Sequence, residues 1–159
     1  MKGTAHLIHG YLGAGKTTFA QQLTEDVGGI RLSLDDWYLR MYSDGEPTAS
    51  MDPVLLDRVW AALDELWPQL LEQGVNVVLD FGYWTRIRRD RARDVAGAAG
   101  ADTVLYSVAC DEDVARARCL GRNHDPRSSF VIVAAAYDEL KAGFEPLGED
   151  EKFVAIDGT

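Results

Sequence analysis

The chain carries a glycine-rich loop that ends in a lysine and a threonine, and this loop constrains the fold more than any other stretch. Residues 10–17 read GYLGAGKT; the apolar residues 5–9 precede them, and an amphipathic segment, residues 16–27, follows. Glycines let the loop backbone turn consecutive N–H groups inward around an anion, and a helix N-terminus adds its positive dipole end. The sequence therefore predicts a strand, a phosphate-binding loop and a helix, the order typical of an ATP or GTP site.

The residue types in the loop divide the work of binding a nucleotide. Lys16 is placed to bridge the β- and γ-phosphates, and the hydroxyl of Thr17 is placed to hold Mg²⁺. Backbone N–H groups of the surrounding residues complete the site. The predicted nucleotide-binding residues of the loop are Gly10, Gly13, Ala14, Gly15, Lys16, Thr17 and Thr18.

Length and charge limit the remaining possibilities. At 159 residues the chain has the length of one domain, residues 1–159, and its net charge is −10. Nucleic-acid backbones bind to basic surfaces, so this charge argues against long polyanions as partners. Cys110 and Cys119 show no zinc or disulfide spacing, and no apolar run approaches the roughly 18 residues of a membrane span. We expect no signal peptide, no membrane contact and a cytoplasmic location; the oligomeric state stays open.

Two aspartates follow the second predicted strand. Residues 30–34 alternate apolar and polar side chains, and Asp35 and Asp36 come next. Ligands of open α/β sheets bind beyond the carboxyl ends of the strands, so these carboxylates face the same crevice as the phosphate loop. Asp35 is the candidate base for an acceptor hydroxyl, with Asp36 as an alternative base or a substrate ligand. Capping of a turn or helix is the non-catalytic interpretation.

The segment of about residues 35–52 is predicted to bind the acceptor, with a loop from residue 37 to residue 51. Its aromatic side chains, Trp37, Tyr38 and Tyr42, either stack against a ring or sugar or cover the edge of the core. An acidic rim suits a neutral or cationic acceptor. The segment contains one basic residue, Arg40, and five acidic residues: Asp35, Asp36, Asp44, Glu46 and Asp52.

A buried-strand pattern over residues 75–80 ends in Asp80. An apolar strand that ends in Asp is the usual second half of a phosphate-loop site, where the carboxylate reaches Mg²⁺ directly or through water. Capping of the next helix is the alternative. Trp84 follows and is placed to line the acceptor pocket. The preceding helix, predicted to start at Asp52, contains Pro68, which should kink or divide it.

Arginines concentrate in two later places. The run at residues 86–93 favours a solvated helix face, and a phosphate or RNA contact through Arg86 is the alternative. Arg118 and Arg122 lie four residues apart, so a helix puts them on one face of a short lid at about residues 118–130. One guanidinium is placed to stack on adenine and the other to neutralise the transferred phosphoryl group.

A last helix is expected from about residue 128, with a buried stripe of Phe130, Val133, Tyr137, Leu140 and Phe144.

The order of these motifs resembles the small P-loop kinases grouped with polynucleotide kinase, zeta toxin, chloramphenicol phosphotransferase and gluconate kinase, which are AAA-type ATP-binding proteins. The resemblance implies an α/β three-layer P-loop NTPase fold: a parallel five-stranded sheet in the order 2-3-1-4-5, helices on both faces and a short lid. It also implies ATP- and Mg²⁺-dependent transfer to a hydroxyl, with Asp35 as the base and Arg118 and Arg122 as lid arginines. It covers essentially the full chain and rests on residues 10–18, Ser33-x-Asp35, Asp80, Arg118-x-x-x-Arg122-Asn123 and Phe144-Glu145-Pro146.

One departure from the group bears on the acceptor. Polynucleotide kinases tend to follow the aspartate after the second strand with an arginine that grips the acceptor's phosphate, whereas Trp37 and Tyr38 follow here and Arg40 comes later. The leading hypothesis is therefore an ATP-dependent phosphotransferase that acts on a hydroxyl of a small molecule such as an antibiotic, a sugar or a metabolite. A nucleotide or polynucleotide 5′-hydroxyl kinase is the alternative enzyme. An ATP-binding regulatory protein is the alternative of another class.

Overall fold

Five short segments of the chain pair into one parallel sheet. The computed structural model describes residues 1–42, 51–124 and 130–159, and in them the strands run in the predicted order, β2-β3-β1-β4-β5. Each neighbouring pair is parallel, with β1 at the centre. The strands are β1 (Thr4–His9), β2 (Ile30–Ser33), β3 (Val77–Gly82), β4 (Asp102–Ala109) and β5 (Val154–Asp157).

Helices connect consecutive strands, as parallel pairing requires. In the described residues, no helix is both long enough and apolar enough to cross a bilayer. Short 3₁₀ turns at Arg122–His124 and Lys141–Gly143 extend the last two helices. The helices are α1 (Lys16–Val27), α2 (Leu34–Tyr42), α3 (Pro53–Glu72), α4 (Arg86–Ala98), α5 (Glu112–Gly121) and α6 (Ala134–Leu140).

Successive side chains of the central strand β1 point to opposite faces of the sheet, so each face has its own buried cluster. On one face, Leu7 belongs to a buried cluster with Trp67 of α3 and Ala96 of α4. On the other face, Ile8 belongs to a second cluster with Leu23 of α1. The sheet is therefore covered on both sides, as the three-layer prediction requires.

Local sequence sets several helix boundaries. Asp52 caps α3 by accepting hydrogen bonds from Val54 N and Leu55 N at 2.8 and 3.2 Å. Asp111 caps α5 in the same way, and Gly28, with φ +59°, ends α1 in the left-handed conformation that favours glycine. The start of α3 at Asp52 agrees with the sequence prediction.

The segment after β2 differs from the prediction. Residues 37–42 are helical instead of forming a loop, because α2 starts directly at Leu34. The hydroxyl of Ser33 accepts a hydrogen bond from Asp36 N at 3.2 Å, and two acidic residues in the first turn complement the helix dipole. A helix at this place fixes the base candidate on a rigid element.

Two later helices bear on the predicted boundaries. α3 continues through Pro68 as one helix, so the proline does not divide it; the broad buried face of α3 outweighs the backbone hydrogen bond that a proline removes. α6 begins only at Ala134, and Val133 and Leu140, expected to be buried, are 55% and 42% exposed. The predictions for residues 43–50 and 125–129, including Asp44 and Glu46, lie outside the described residues.

Candidate active site

The phosphate loop joins β1 to α1 at the carboxyl edge of the sheet, as predicted. Gly13 and Gly15 have φ of +78° and +96°, which residues with a side chain rarely adopt. A Cβ atom on Gly13 would lie 2.0 Å from the carbonyl oxygen of Ala115 in α5. The glycines are thus required both for backbone conformation and for close packing. Thr17 and Thr18 are exposed in the first turn of α1.

The lysine of the loop is held by the loop itself. Its Nζ donates a hydrogen bond to the carbonyl oxygen of Tyr11 at 2.8 Å. The side chain passes close to β3, since a Cβ atom on Gly82 would lie 3.8 Å from Lys16 Cε. Burial lowers the pKa of Lys16, while the charges of Asp80 and Asp35 oppose that shift. Lys16 and these carboxylates therefore belong to one electrostatic cluster.

Asp35 lies in the first turn of α2, at the strand end where the sequence placed it. Its side chain is exposed to solvent, yet enough protein atoms surround the carboxyl to desolvate it. Desolvation raises the pKa of Asp35 to about 6; Lys16 lowers it, and Asp80 and Asp36 raise it further. A carboxyl with such a pKa is ionised at neutral pH and is also a better proton acceptor than an ordinary aspartate.

Arg31 of β2, which the sequence analysis did not single out, bridges Asp36 and Asp80. Its Nε and Nη2 donate to Asp80 Oδ2 at 3.1 and 2.8 Å, and its Nη1 donates to Asp36 Oδ2 at 3.1 Å. Asp80 lies inside β3 and is almost fully buried. The only sequence signal for this bridge was an arginine at a polar position of a short strand.

The aromatic residues near the crevice fall into different environments. Tyr38 is fully buried and its hydroxyl accepts a hydrogen bond from Asp52 N at 2.6 Å, so the structure gives it no surface for an acceptor, contrary to the prediction. Tyr42 stacks on Tyr38 and is 40% exposed. Trp37 is half-buried against the main core. Among these three, Tyr42 offers the most accessible ring.

Trp84 supports the phosphate loop. Its Nε1 donates to the carbonyl oxygen of Gly10 at 3.1 Å, and its ring packs 5.2 Å from that of Tyr11. The Tyr11 hydroxyl in turn donates to the carbonyl oxygen of Tyr137 in α6. Trp84 contacts the loop directly, and its predicted contact with an acceptor stays a prediction.

The basic run at residues 86–93 is only in part the solvated face that was predicted, because Arg89 is fully buried while the other arginines keep partial exposure. Each of its arginines is paired with an acidic side chain of another segment or of α4 itself. Arg86, predicted to contact substrate, is paired with Asp90 and Asp150. Arg89 is fully buried against Glu151. Arg86, Arg89 and Arg93 fasten the segment before β5 to α4, whereas Arg88 and Arg91 pair with α3; both roles depend on partners far away in the sequence.

The two predicted lid arginines, Arg118 and Arg122, belong to α5 and the 3₁₀ turn that follows it. Arg118 Nη1 donates to the carbonyl oxygen of Gly158 at 2.5 Å. Gly158 lies against the loop, since a Cβ atom there would be 1.8 Å from Ala14 O. Arg122 is exposed, and its charge contributes to the lowered pKa of Lys16. The structure thus places Arg118 beside the C-terminal loop and Arg122 within electrostatic reach of Lys16.

Solved structures similar to this chain place its fold among those of kinases. A Chloroflexus aurantiacus protein taken to be a kinase aligns with a TM-score of 0.80 at 16% identity, over 100% of this chain and 90% of its own. A Sinorhizobium meliloti gluconokinase aligns with a TM-score of 0.66 at 19% identity, over 97% and 82%. The Mycobacterium tuberculosis APS kinase CysC, in complex with AMPPNP and APS, aligns with a TM-score of 0.64 at 15% identity, over 98% and 88%.

Sequence comparison identifies the family. No curated protein matches the chain. The family model described as an AAA domain matches residues 6–147, which include the phosphate loop, Asp35, Asp80 and both lid arginines. The five-stranded parallel sheet in the order β2-β3-β1-β4-β5 has the topology of P-loop NTPases. The chain is a member of the AAA domain family with a P-loop NTPase fold.

Proposed function

We propose that the protein is an ATP-dependent phosphotransferase that moves the γ-phosphoryl group to a hydroxyl of a small molecule. The observation that carries this proposal is the place of Asp35: an exposed carboxylate in the first turn of α2, at the end of β2 and within electrostatic reach of the phosphate-loop lysine; desolvation raises the pKa of this carboxylate to about 6. A protein that only binds ATP does not need such a base. The similarity in fold to a gluconokinase and an APS kinase supports the same reaction class.

The proposed reaction uses groups that already surround the crevice. Asp35 accepts the proton of the acceptor hydroxyl as its oxygen forms a bond to the γ-phosphorus. The bond from that phosphorus to the bridging oxygen breaks, ADP leaves, and Asp35 returns the proton to solvent. Lys16 exchanges Tyr11 O for phosphate oxygens, and Arg122 is near enough to neutralise charge on the transferred group.

Thr17 and Asp80 fit the requirements of a Mg²⁺ site. Thr17 is exposed next to Lys16, and in the part of the chain that the structure describes Arg31 donates to Oδ2 of Asp80, so Oδ1 would bind a cation directly or through water. Bound Mg²⁺ would supply charge neutralisation on the phosphates. Among the residues that the structure describes, no cluster of three His, Cys, Asp or Glu side chains forms a separate metal site.

Charge in the crevice favours a neutral or cationic acceptor. Arg31 contacts two carboxylates and Arg86 contacts three, so both cations are already neutralised. Asp35 and Asp36 add exposed negative charge. An accessible Tyr42 ring provides an apolar surface for a sugar or other ring. The free thiols of Cys110 and Cys119 are compatible with a reducing cytoplasm, where we place the reaction.

The test is phosphate transfer from γ-labelled ATP with Mg²⁺ to a panel of aminoglycosides, other hydroxylated antibiotics, sugars, nucleosides and 5′-hydroxyl oligonucleotides. The Lys16→Ala variant serves as the blank. We expect a labelled small molecule that disappears with the variant. Label on oligonucleotides alone would replace the small-molecule proposal by the polynucleotide alternative. ATP binding without any transfer would favour the regulatory protein.

A further inference from the structure

Arg31 connects three elements at the nucleotide end of the crevice. It lies on β2, and its guanidinium donates two hydrogen bonds to Asp80 of β3 and one to Asp36 of α2. The Arg31 side chain is 18% exposed and that of Asp80 is 5% exposed. Charge-assisted hydrogen bonds in such a dry place are stronger than those on a surface. The bridge therefore fixes where the Asp80 carboxylate points.

Asp80 also lies next to the lysine that the phosphate loop uses. Its position in β3 is two residues before Gly82, so both positions belong to the same face of the strand, and Lys16 passes over Gly82. Of the carboxylates around Lys16, Asp80 acts most strongly on its charge, followed by Asp35. An unrestrained Asp80 would compete with a phosphate for this ammonium.

Lys16 is nevertheless not paired with a carboxylate in the part of the chain that the structure describes. Its ammonium donates to Tyr11 O, a neutral carbonyl that a phosphate oxygen can displace at low cost. Arg31 is the group that satisfies Asp80 instead. Arg31 thus pairs with Asp80 and Asp36, and the ammonium of Lys16 stays available for nucleotide phosphates.

We propose that Arg31 is a positioning residue that holds Asp80 away from Lys16 and so keeps the lysine available to nucleotide phosphates. The role rests on the phosphate loop as the nucleotide site, a part of the proposed function, and not on the identity of the acceptor. Without Arg31, the buried Asp80 carboxylate would turn to Lys16, the other cation that the described residues place within its electrostatic reach. An Asp80–Lys16 pair would then have to break before a phosphate could bind.

The experiment measures the Kd of ADP by titration calorimetry in EDTA, so that a metal on Asp80 plays no part. We expect Arg31→Gln to weaken ADP binding about tenfold, the size of one hydrogen bond to a charged group. Asp80→Asn in the same chain removes the competitor, and the double variant should return to within about threefold of Asp80→Asn alone. Arg91→Gln, which breaks a distant ion pair on α4, is the matched control and should leave the Kd unchanged.

The outcomes separate positioning from simple structural support. An Arg31→Gln protein that is folded by circular dichroism and binds ADP like the wild type overturns the proposal. Equal weakening with and without Asp80→Asn also overturns it, because the effect would then not pass through Asp80. If Arg31→Gln does not fold, Arg31→Lys replaces it, since a shorter ammonium lacks the guanidinium fork that makes two bonds to Asp80; about threefold weakening, relieved by Asp80→Asn, is expected. Lys16→Ala is measured in parallel, and unchanged ADP binding there would refute the nucleotide site itself.

Discussion

The buried pair of Arg89 and Glu151 makes a prediction about what holds the fold together. Arg89 is 0% exposed, and its Nε and Nη2 donate to the two carboxylate oxygens of Glu151 at 2.9 Å each. Glu151 also accepts from Arg93 Nη2 at 2.7 Å and from Gly148 N at 2.9 Å. This cluster fastens the segment before β5 to α4. Replacing Glu151 by glutamine keeps the shape and removes the charge.

Breaking a buried ion pair by removing one partner costs about 3–5 kcal/mol, because the other charge stays buried without compensation. Arg89 would retain three carbonyl acceptors, those of Tyr83, Trp84 and Pro146, at 3.0–3.2 Å. We therefore expect a cost at the lower end, about 3 kcal/mol, out of a total stability of about 5–15 kcal/mol. For a chain of this size, that loss lowers the melting temperature by about 6–12 °C.

Urea denaturation and a thermal melt of Glu151→Gln measure this cost. Asp150→Asn is the matched control: its partner Arg86 lies at the surface, with side-chain exposures of 41% and 69%, so at most about 1 kcal/mol is expected. Burial alone would raise the pKa of Glu151, but hydrogen bonds from Arg89, Gly148 N and Arg93 hold it well below its usual range. The stabilisation that the ionised Glu151 gives the folded state is thus present above the unfolded pKa of about 4.5 and is lost as the pH falls through the folded pKa. Equally small losses of unfolding free energy in Glu151→Gln and Asp150→Asn would refute the reasoning.

Two further predictions concern the crevice and the phosphate loop. Because the pKa of Asp35 is raised to about 6 and a base must be ionised, phosphotransfer should fall as the pH drops below about 6; a rate profile that is flat from pH 5 to pH 8 would contradict this role. Gly158→Ala should lower both the melting temperature and the affinity for ADP, since the new Cβ would lie 1.8 Å from Ala14 O, whereas Gly97→Ala, in open space on α4, should weaken neither.

Features that depend on neighbouring residues were predictable from the sequence. The phosphate loop, the caps at Asp52 and Asp111, and the left-handed Gly28 at the end of α1 follow from a few adjacent residue types. Asp35 could be placed at the crevice because parallel strands present their carboxyl ends at one edge of a sheet. The strand order came from the resemblance to P-loop kinases, since no local pattern specifies which strands become neighbours.

Side-chain partners that lie far apart in the sequence could not be predicted. Arg89 looked like part of a solvated face, and its burial depends on Glu151, 62 residues later. The Arg31–Asp80 bridge spans 49 residues and two strands. The segment of Tyr38 lacks a clear hydrophobic period, so it was predicted to be a loop in which Tyr38 contacts an acceptor. Once Leu34 starts a helix, Tyr38 falls one turn later on the buried face.

The central claim is that Asp35 acts as the base of a phosphotransferase, and the Asp35→Asn variant tests it most directly. The measurement compares the rate of phosphate transfer to the acceptor found in the panel with the Kd of ATP, for the variant and the wild type. Loss of the base with the phosphate loop intact predicts a rate lower by about 10²–10⁴-fold and an ATP Kd within about twofold of the wild type. An asparagine variant that transfers phosphate at the wild-type rate would contradict the account, and an equal loss of ATP affinity would assign Asp35 to nucleotide binding instead.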